Sequence, residues 1–253
     1  VSEPAARELA ARGLPVVFVH GMRVSGTMWG PVMEAVEARH PVEAPDLPGH
    51  GRRRGESFTL PAAVDAVAEA IDRLGGRALV VGLSLGGYVA IATAKRHPDK
   101  VAGLVAIGCT ALPRGLFAAA FRGVARAAAL HPPTGNRVSA WGFRRQLPRP
   151  AAQALIGGGL TSEVVPAVVG AVIGFDPPAA LAAYPGPVWL AYGTKDPFRH
   201  DAHAFVRACR DGRLVVWPGQ GHLTCLADPR TVARLVSDAA AVVGRPSYVS
   251  CVL

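Results

Sequence analysis

Acidic residues are in short supply: 18 Asp and Glu stand against 27 Lys and Arg in 253 residues, for a formal net charge of +9. A balance of that sign suits anionic partners, nucleic acid first among them. Yet no basic run is interleaved with aromatics and no nucleic-acid motif occurs, so no nucleic-acid partner is expected. Cysteine is scarcer still. Cys109, Cys209, Cys225 and Cys251 lie far apart without a Cys-x-x-Cys pair, which excludes a small disulfide-stapled domain and predicts reduced thiols. Also missing are a Gly-x-Gly-x-x-Gly after a strand-like run and any His/Glu cluster at metal-ligand spacing. Neither a nucleotide nor a metal is implied, and no cofactor is expected. No apolar stretch is long and unbroken enough for a membrane span. The opening Val1-Ser2-Glu3-Pro4 carries no basic segment followed by an apolar core, so the expectation is a cytoplasmic protein without a membrane partner.

Small and apolar residues are abundant. Hydrophobic residues make up 50% of the chain, enough to bury a large core in one α/β domain with room for an insertion. Pro15 to Val19, Leu79 to Gly82, Val101 to Ile107 and Val188 to Tyr192 are continuous apolar runs rich in β-branched residues, the pattern of strands covered on both faces. Shorter strands are predicted at Val42 to Asp46 and Arg213 to Trp217. Between them lie helical stretches: Ser2 to Arg12, weakly Trp29 to Arg39, and Leu60 to Leu74 with Gly75-Gly76 as its stop. Others follow the serine at position 84 and span Ala202 to Cys209 and Pro229 to Val243. The tail Ser250 to Leu253 reads as a frayed end. Alternation of this kind specifies a doubly wound, mostly parallel sheet. It breaks between residues 113 and 180, an alanine-rich helical region interrupted by Pro132-Pro133, Pro148, Pro150 and Pro177-Pro178. That region holds seven arginines (114, 122, 126, 137, 144, 145 and 149) against Glu163 and Asp176. The predicted organisation is a core of residues 1–112 and 181–253 with a helical cap, 113–180, inserted in it.

The stretch that organises the rest is Leu79-Val80-Val81-Gly82-Leu83-Ser84-Leu85-Gly86-Gly87. A buried strand runs into a sharp turn and then a helix, with Ser84 at the apex, as in a nucleophile elbow. Glycines flank the serine because a Cβ there would strike the neighbouring strand or the helix start. A free serine is a poor nucleophile, so it needs a base and an acid. His222, in Gly219-Gln220-Gly221-His222, follows the last strand on a loop able to fold back over the sheet edge, and is the best placed of eight histidines. Asp196, in Gly193-Thr194-Lys195-Asp196, follows strand Val188–Tyr192 directly, with Asp201 as the alternative acid. His20 and His50 also sit at strand ends and read as loop histidines making structural hydrogen bonds. Arg52-Arg53-Arg54 reads as a solvated face, and Gly157-Gly158-Gly159 as either a hinge or a plain loop.

With His20-Gly21, Asp46-Leu47-Pro48-Gly49-His50-Gly51 and the three motifs above, the chain resembles an α/β-hydrolase-fold enzyme over nearly its full length. The order Ser, Asp, His is that family's. The resemblance implies a sheet of about six strands, because only 14 residues precede the His-Gly strand and leave no space for the family's antiparallel hairpin. It implies an oxyanion hole from the backbone N–H groups of Met22 and Leu85, and it puts Gly21 and Trp29 beside the substrate, Trp29 mainly through packing. A serine rather than an aspartate at the elbow argues against epoxide opening and halide displacement. The expected activity is hydrolysis of a carboxylic ester, lactone or thioester through an acyl-Ser84 intermediate. The rival uses the same residues without hydrolysis: acyl transfer, cyclisation or cofactor-free perhydrolysis. A binding protein that keeps the fold as a pocket is the third reading. The expected partner is a small-molecule acyl substrate, anionic or carrier-bound if the arginine-rich cap steers it.

Overall fold

The computed structural model describes residues 13–112 and 114–244. The helix expected over residues 2–12 and the tail at 250–253 lie outside them. Six strands form one sheet: β1 (Val16–Val19), β2 (Val42–Glu43), β3 (Ala78–Leu83), β4 (Val101–Ile107), β5 (Pro187–Gly193) and β6 (Asp211–Trp217), in the spatial order β2-β1-β3-β4-β5-β6. All five pairings are parallel. The strand at Val42 ends two residues on, earlier than the sequence suggested. Past Glu43 the chain turns into the loop that carries Asp46.

Successive strand residues face opposite ways, and the core divides accordingly. On one face Val17, Val19, Val80 and Leu104 meet α2 (Leu60–Arg73) and α3 (Leu85–Arg96). On the other, Val16, Phe18, Val81 and Val105 meet α1 (Gly30–Val36) and α10 (Pro229–Val243). The last connection, between β5 and β6, runs through α9 (Ala202–Ala208).

Between β4 and β5 the chain leaves the sheet and builds five helices: α4 (Gly115–Leu130), α5 (Pro132–Gln146), α6 (Arg149–Gly157), α7 (Val165–Ile173) and α8 (Pro177–Ala183). The prolines that interrupt this region in the sequence start its helices. Pro132-Pro133, Pro150, Pro166 and Pro177-Pro178 occupy first-turn positions, where the missing N–H has no intrahelical acceptor to lose. Helix α8 belongs with the core, since Ala180, Leu181 and Tyr184 pack into the cluster formed by α3 and the sheet. The boundary expected at residue 180 therefore falls inside this helix.

Three further features bear on readings made from the sequence. Gly157-Gly158-Gly159 is pinned: an added Cβ on Gly158 would stand 1.8 Å from Ser25 Oγ, and its N–H donates to Thr27 Oγ1 at 3.1 Å. The Arg52-Arg53-Arg54 run is ion-paired residue by residue, to Asp46, Glu56 and Glu163. Arg54 thereby ties a core loop to the insertion. Finally, among the described residues no single helix is long and apolar enough to cross a membrane; one helix pair could by composition, but it is bent by 67°.

Candidate active site

Strand β3 ends at Leu83 and helix α3 begins at Leu85, so the whole turn is made at Ser84, with φ 56° and ψ −118°. That is a strained conformation for a residue with a side chain, of the kind found where structure serves chemistry. Its neighbours have to be glycine. An added Cβ would lie 2.2 Å from Gly86 O if placed on Gly82, and 2.1 Å from Val19 O if placed on Gly86. Strand and helix approach too closely for anything larger.

His222 hangs from the loop after β6. Its Nδ1 lies 3.0 Å from Asp196 Oδ2 and 3.2 Å from Oδ1. Asp196, 2% exposed, sits in the turn after β5 and also accepts a hydrogen bond from Phe198 N at 2.8 Å. The two loops are laced together, with Lys195 N donating to Gln220 O at 2.8 Å and Gly219 N to Thr194 Oγ1 at 2.8 Å. Phe198 flanks the imidazole at 4.7 Å between ring centroids. Gly108, at the end of β4, lies under the pair: a Cβ there would stand 2.9 Å from Asp196 Oδ2 and 3.0 Å from His222 Nδ1. Asp201 is elsewhere. Its Oδ2 accepts from Leu112 N at 2.8 Å and fixes the chain where it leaves the sheet.

Ser84 and His222 line one cavity of about 240 Å³. Among the described residues no hydrogen bond joins them, which is common for such pairs in the absence of substrate. Gly21 stands next to Ser84, with an added Cβ 3.9 Å from Ser84 Cβ. The Leu85 N–H is the first of its helix and so has no intrahelical acceptor, and the Met22 N–H donates to no described residue. Most of the rest of the wall is apolar. Val24 and Met28 come from the core, while Phe121, Phe143, Leu155 and Val168 come from the inserted helices. Trp29 is not in the wall: it is fully buried against Phe18, centroids 5.2 Å apart. The substrate contact expected of Trp29 is therefore corrected to a packing role.

Behind the wall, His20 and His50 are buried, 4.9 Å apart. His20 Nε2 accepts from Leu47 N at 2.9 Å and its Nδ1 donates to Gly21 O at 2.8 Å, which fixes the neutral tautomer. Burial, helped by the neighbouring His50, pulls the His20 pKa down to about 3. For Asp46, burial alone would raise the pKa. Hydrogen bonds from Arg52 N and Gly26 N and the Arg52 guanidinium outweigh it and hold the carboxyl below its ordinary range. Together these groups bind the two loops that border the cavity floor. Cys225, close behind His222, is buried with its thiol pushed up to about 12, so it is inert at neutral pH. No three His, Cys, Asp or Glu side chains among the described residues converge as metal ligands.

One residue here escaped the sequence analysis. Arg23 lines the cavity, and with Ser84 it makes the only two non-glycine positive-φ positions among the described residues (φ 71° for Arg23). No sequence pattern marks an arginine that the distant helix α5 will cover.

The profile of the alpha/beta hydrolase family matches residues 16–235. The chain belongs to that family. It is an enzyme, and its relatives include ester hydrolases. A pimeloyl-[acyl-carrier protein] methyl ester esterase of Aromatoleum aromaticum is 32% identical over 246 residues, which cover 88% of this chain and 96% of that protein. The match to a protein of the same name from Neisseria meningitidis (serogroup C) is 44% identical but spans 90 residues, about a third of either chain (35% and 34%). Among solved structures, an esterase from Thermogutta terrifontis superposes with a TM-score of 0.76 at 27% identity, over 92% of this chain and 91% of that one. The enol-lactonase of Burkholderia xenovorans LB400 has a TM-score of 0.74 at 18% identity, over 90% and 92%, and shares the fold alone.

Proposed function

We propose that this hydrolase cleaves a carboxylic ester through an acyl-Ser84 intermediate. His222 Nε2 takes the Ser84 proton as the hydroxyl attacks the ester carbonyl, then returns it to the departing alcohol. Asp196 holds the imidazole in the tautomer with Nδ1 protonated and stabilises the imidazolium. The N–H groups of Met22 and Leu85 receive the charge that forms on the carbonyl oxygen. Water, activated by the same imidazole, releases the acid. The observation that carries this reading is the His222–Asp196 pair, 3.0 Å apart, sharing a cavity with a serine at a strained strand-to-helix turn.

The apolar wall supports an acyl chain as the occupant, and the inserted helices that contribute part of it serve as a cap. The name of the Aromatoleum relative supports an ester presented on an acyl-carrier protein. Arg144 and Arg149 border a shallow depression on the insertion, and Arg145 stacks over the exposed Trp141 at 5.1 Å. This basic surface with an aromatic centre suits an acidic carrier.

The test is covalent labelling by a fluorophosphonate together with turnover of short methyl esters. Wild type should label and turn over. Ser84→Ala and His222→Ala should each lose labelling and leave a residual rate of only ~10³–10⁴-fold over water. Near-wild-type turnover in His222→Ala removes it as the base.

A further inference from the structure

A cation is built into the wall of this cavity without a counter-charge. Arg23 is mostly buried, and among the described residues no carboxylate pairs with it. Its one protein hydrogen bond through the guanidinium runs from Nη1 to the neutral hydroxyl of Ser139 on helix α5, at 2.9 Å. Its Nε is buried with no partner at all. Apart from Arg23, the only ionisable side chains in the cavity wall are His222, whose carboxylate partner Asp196 stands behind it, and Tyr88, whose hydroxyl donates to Ala111 O. Ser84 apart, the other side chains that line the cavity are apolar.

Buried charges in proteins are ordinarily paired, because desolvation is not recovered otherwise. A solitary arginine at such a point wastes stability unless something else brings the anion. The backbone is bent to put it there, with φ 71° at Arg23 and Thr161 N donating to Arg23 O at 3.0 Å. Two residues earlier, Gly21 abuts Ser84. A ligand filling the cavity therefore spans the distance from the serine hydroxyl to the guanidinium.

We propose that Arg23 is the recognition site for a free carboxylate on the substrate, so that the favoured small substrates are half-esters of short dicarboxylic acids. The proposal rests on the ester-hydrolase reading for its kinetic consequence but not for the binding itself. Arginine suits the task because its planar fork matches a carboxylate. Recognition at a buried contact also differs from attraction by surface charge, since salt screens it far less.

Binding and kinetics separate the two readings. Glutarate should bind the Ser84→Ala protein in calorimetry, and binding should weaken about ten- to hundredfold in Ser84→Ala/Arg23→Met. In the active enzyme, kcat/KM for monomethyl glutarate relative to methyl pentanoate should fall by a similar factor on Arg23→Met, and the wild-type ratio should persist in high salt. Glutarate binding that is indifferent to Arg23, or equal losses on both esters, overturns the proposal and leaves Arg23 as a tether for α5. Should Arg23→Met fail to fold, wild type decides. Inhibition by glutarate no stronger than by its neutral diamide sinks the idea. Cleavage of neither ester, with Arg23-dependent glutarate binding retained, refutes the hydrolase reading and keeps the anion site.

Discussion

At the scale of single residues, Asp196 and Asp201 separate two jobs that the sequence left open between them. Asp196 faces His222 Nδ1, and Asp201 holds Leu112 N. Asp196→Asn should lower kcat by ~10⁴, because the amide stabilises the wrong imidazole tautomer, while thermal stability stays close to wild type. Asp201→Asn should retain most of the activity and cost about 1 kcal/mol of stability from a weakened loop hydrogen bond. Thermal melts and kcat on the two variants check both statements, and the reverse pattern would reassign the acid. Ser84, His222 and Asp196 could be picked out as candidates because each follows a glycine in a turn at a strand end, where local sequence does much to specify geometry. Arg23 was not. Its burial depends on Ser139 and Phe143 arriving from α5, more than a hundred residues along, and no local pattern encodes that. Trp29, expected beside the substrate, instead turns its ring to Phe18, only eleven residues back in the chain.

At the scale of elements, strands β1, β3, β4 and β5 were readable from their apolar β-branched runs, whereas β2 and β6 carry charged residues and rested on shorter patterns. The insertion was readable only as helical. Its prolines look like breaks in one dimension but act as starts in three, which is why five separate helices were not foreseen. The loops that follow β1 and β2 carry a pH dependence. Unfolded His20 takes up a proton below its ordinary value of 6.5, whereas the folded residue resists down to about 3. The unfolded chain therefore binds more protons throughout that window, and stability is full above it and falls as the pH drops through it. The loss is about 1.4 kcal/mol per pH unit from His20, and His50, also lowered by burial, acts in the same direction. Asp46 adds to the loss at the acid end, because its depressed carboxyl stabilises the fold only while ionised. Urea midpoints at pH 5 and pH 7 should differ clearly in wild type. The difference should shrink in His20→Gln, even though that variant is less stable overall. An unchanged slope would mean that other groups govern the acid response.

For the molecule as a whole, the excess of arginine reads differently by location. Arg52, Arg53 and Arg54 are paired to acids, whereas Arg144 and Arg149 border an open depression near exposed Trp141. If the latter receive an acidic carrier, kcat/KM for a carrier-linked methyl ester should fall steeply with ionic strength. The same acyl ester on pantetheine should respond weakly, because long-range attraction fades over a Debye length of roughly 10 Å at 0.1 M salt. Arg144→Gln/Arg145→Gln should flatten the first curve and leave the second alone. Equal salt dependence for both substrates would make these arginines plain surface.

The order of the strands has a consequence for biosynthesis. Ser84 follows the third strand to be made, and Asp196 and His222 follow the last two, beyond the whole helical insertion. During translation the hydroxyl emerges long before the imidazole that would activate it, and the wall that shapes the cavity comes in between. If His222 is the base, a nascent or truncated chain ending before β6 holds the serine without the group that activates it. On the proposed mechanism, reactivity waits until the loop that follows β6 has docked beside β5.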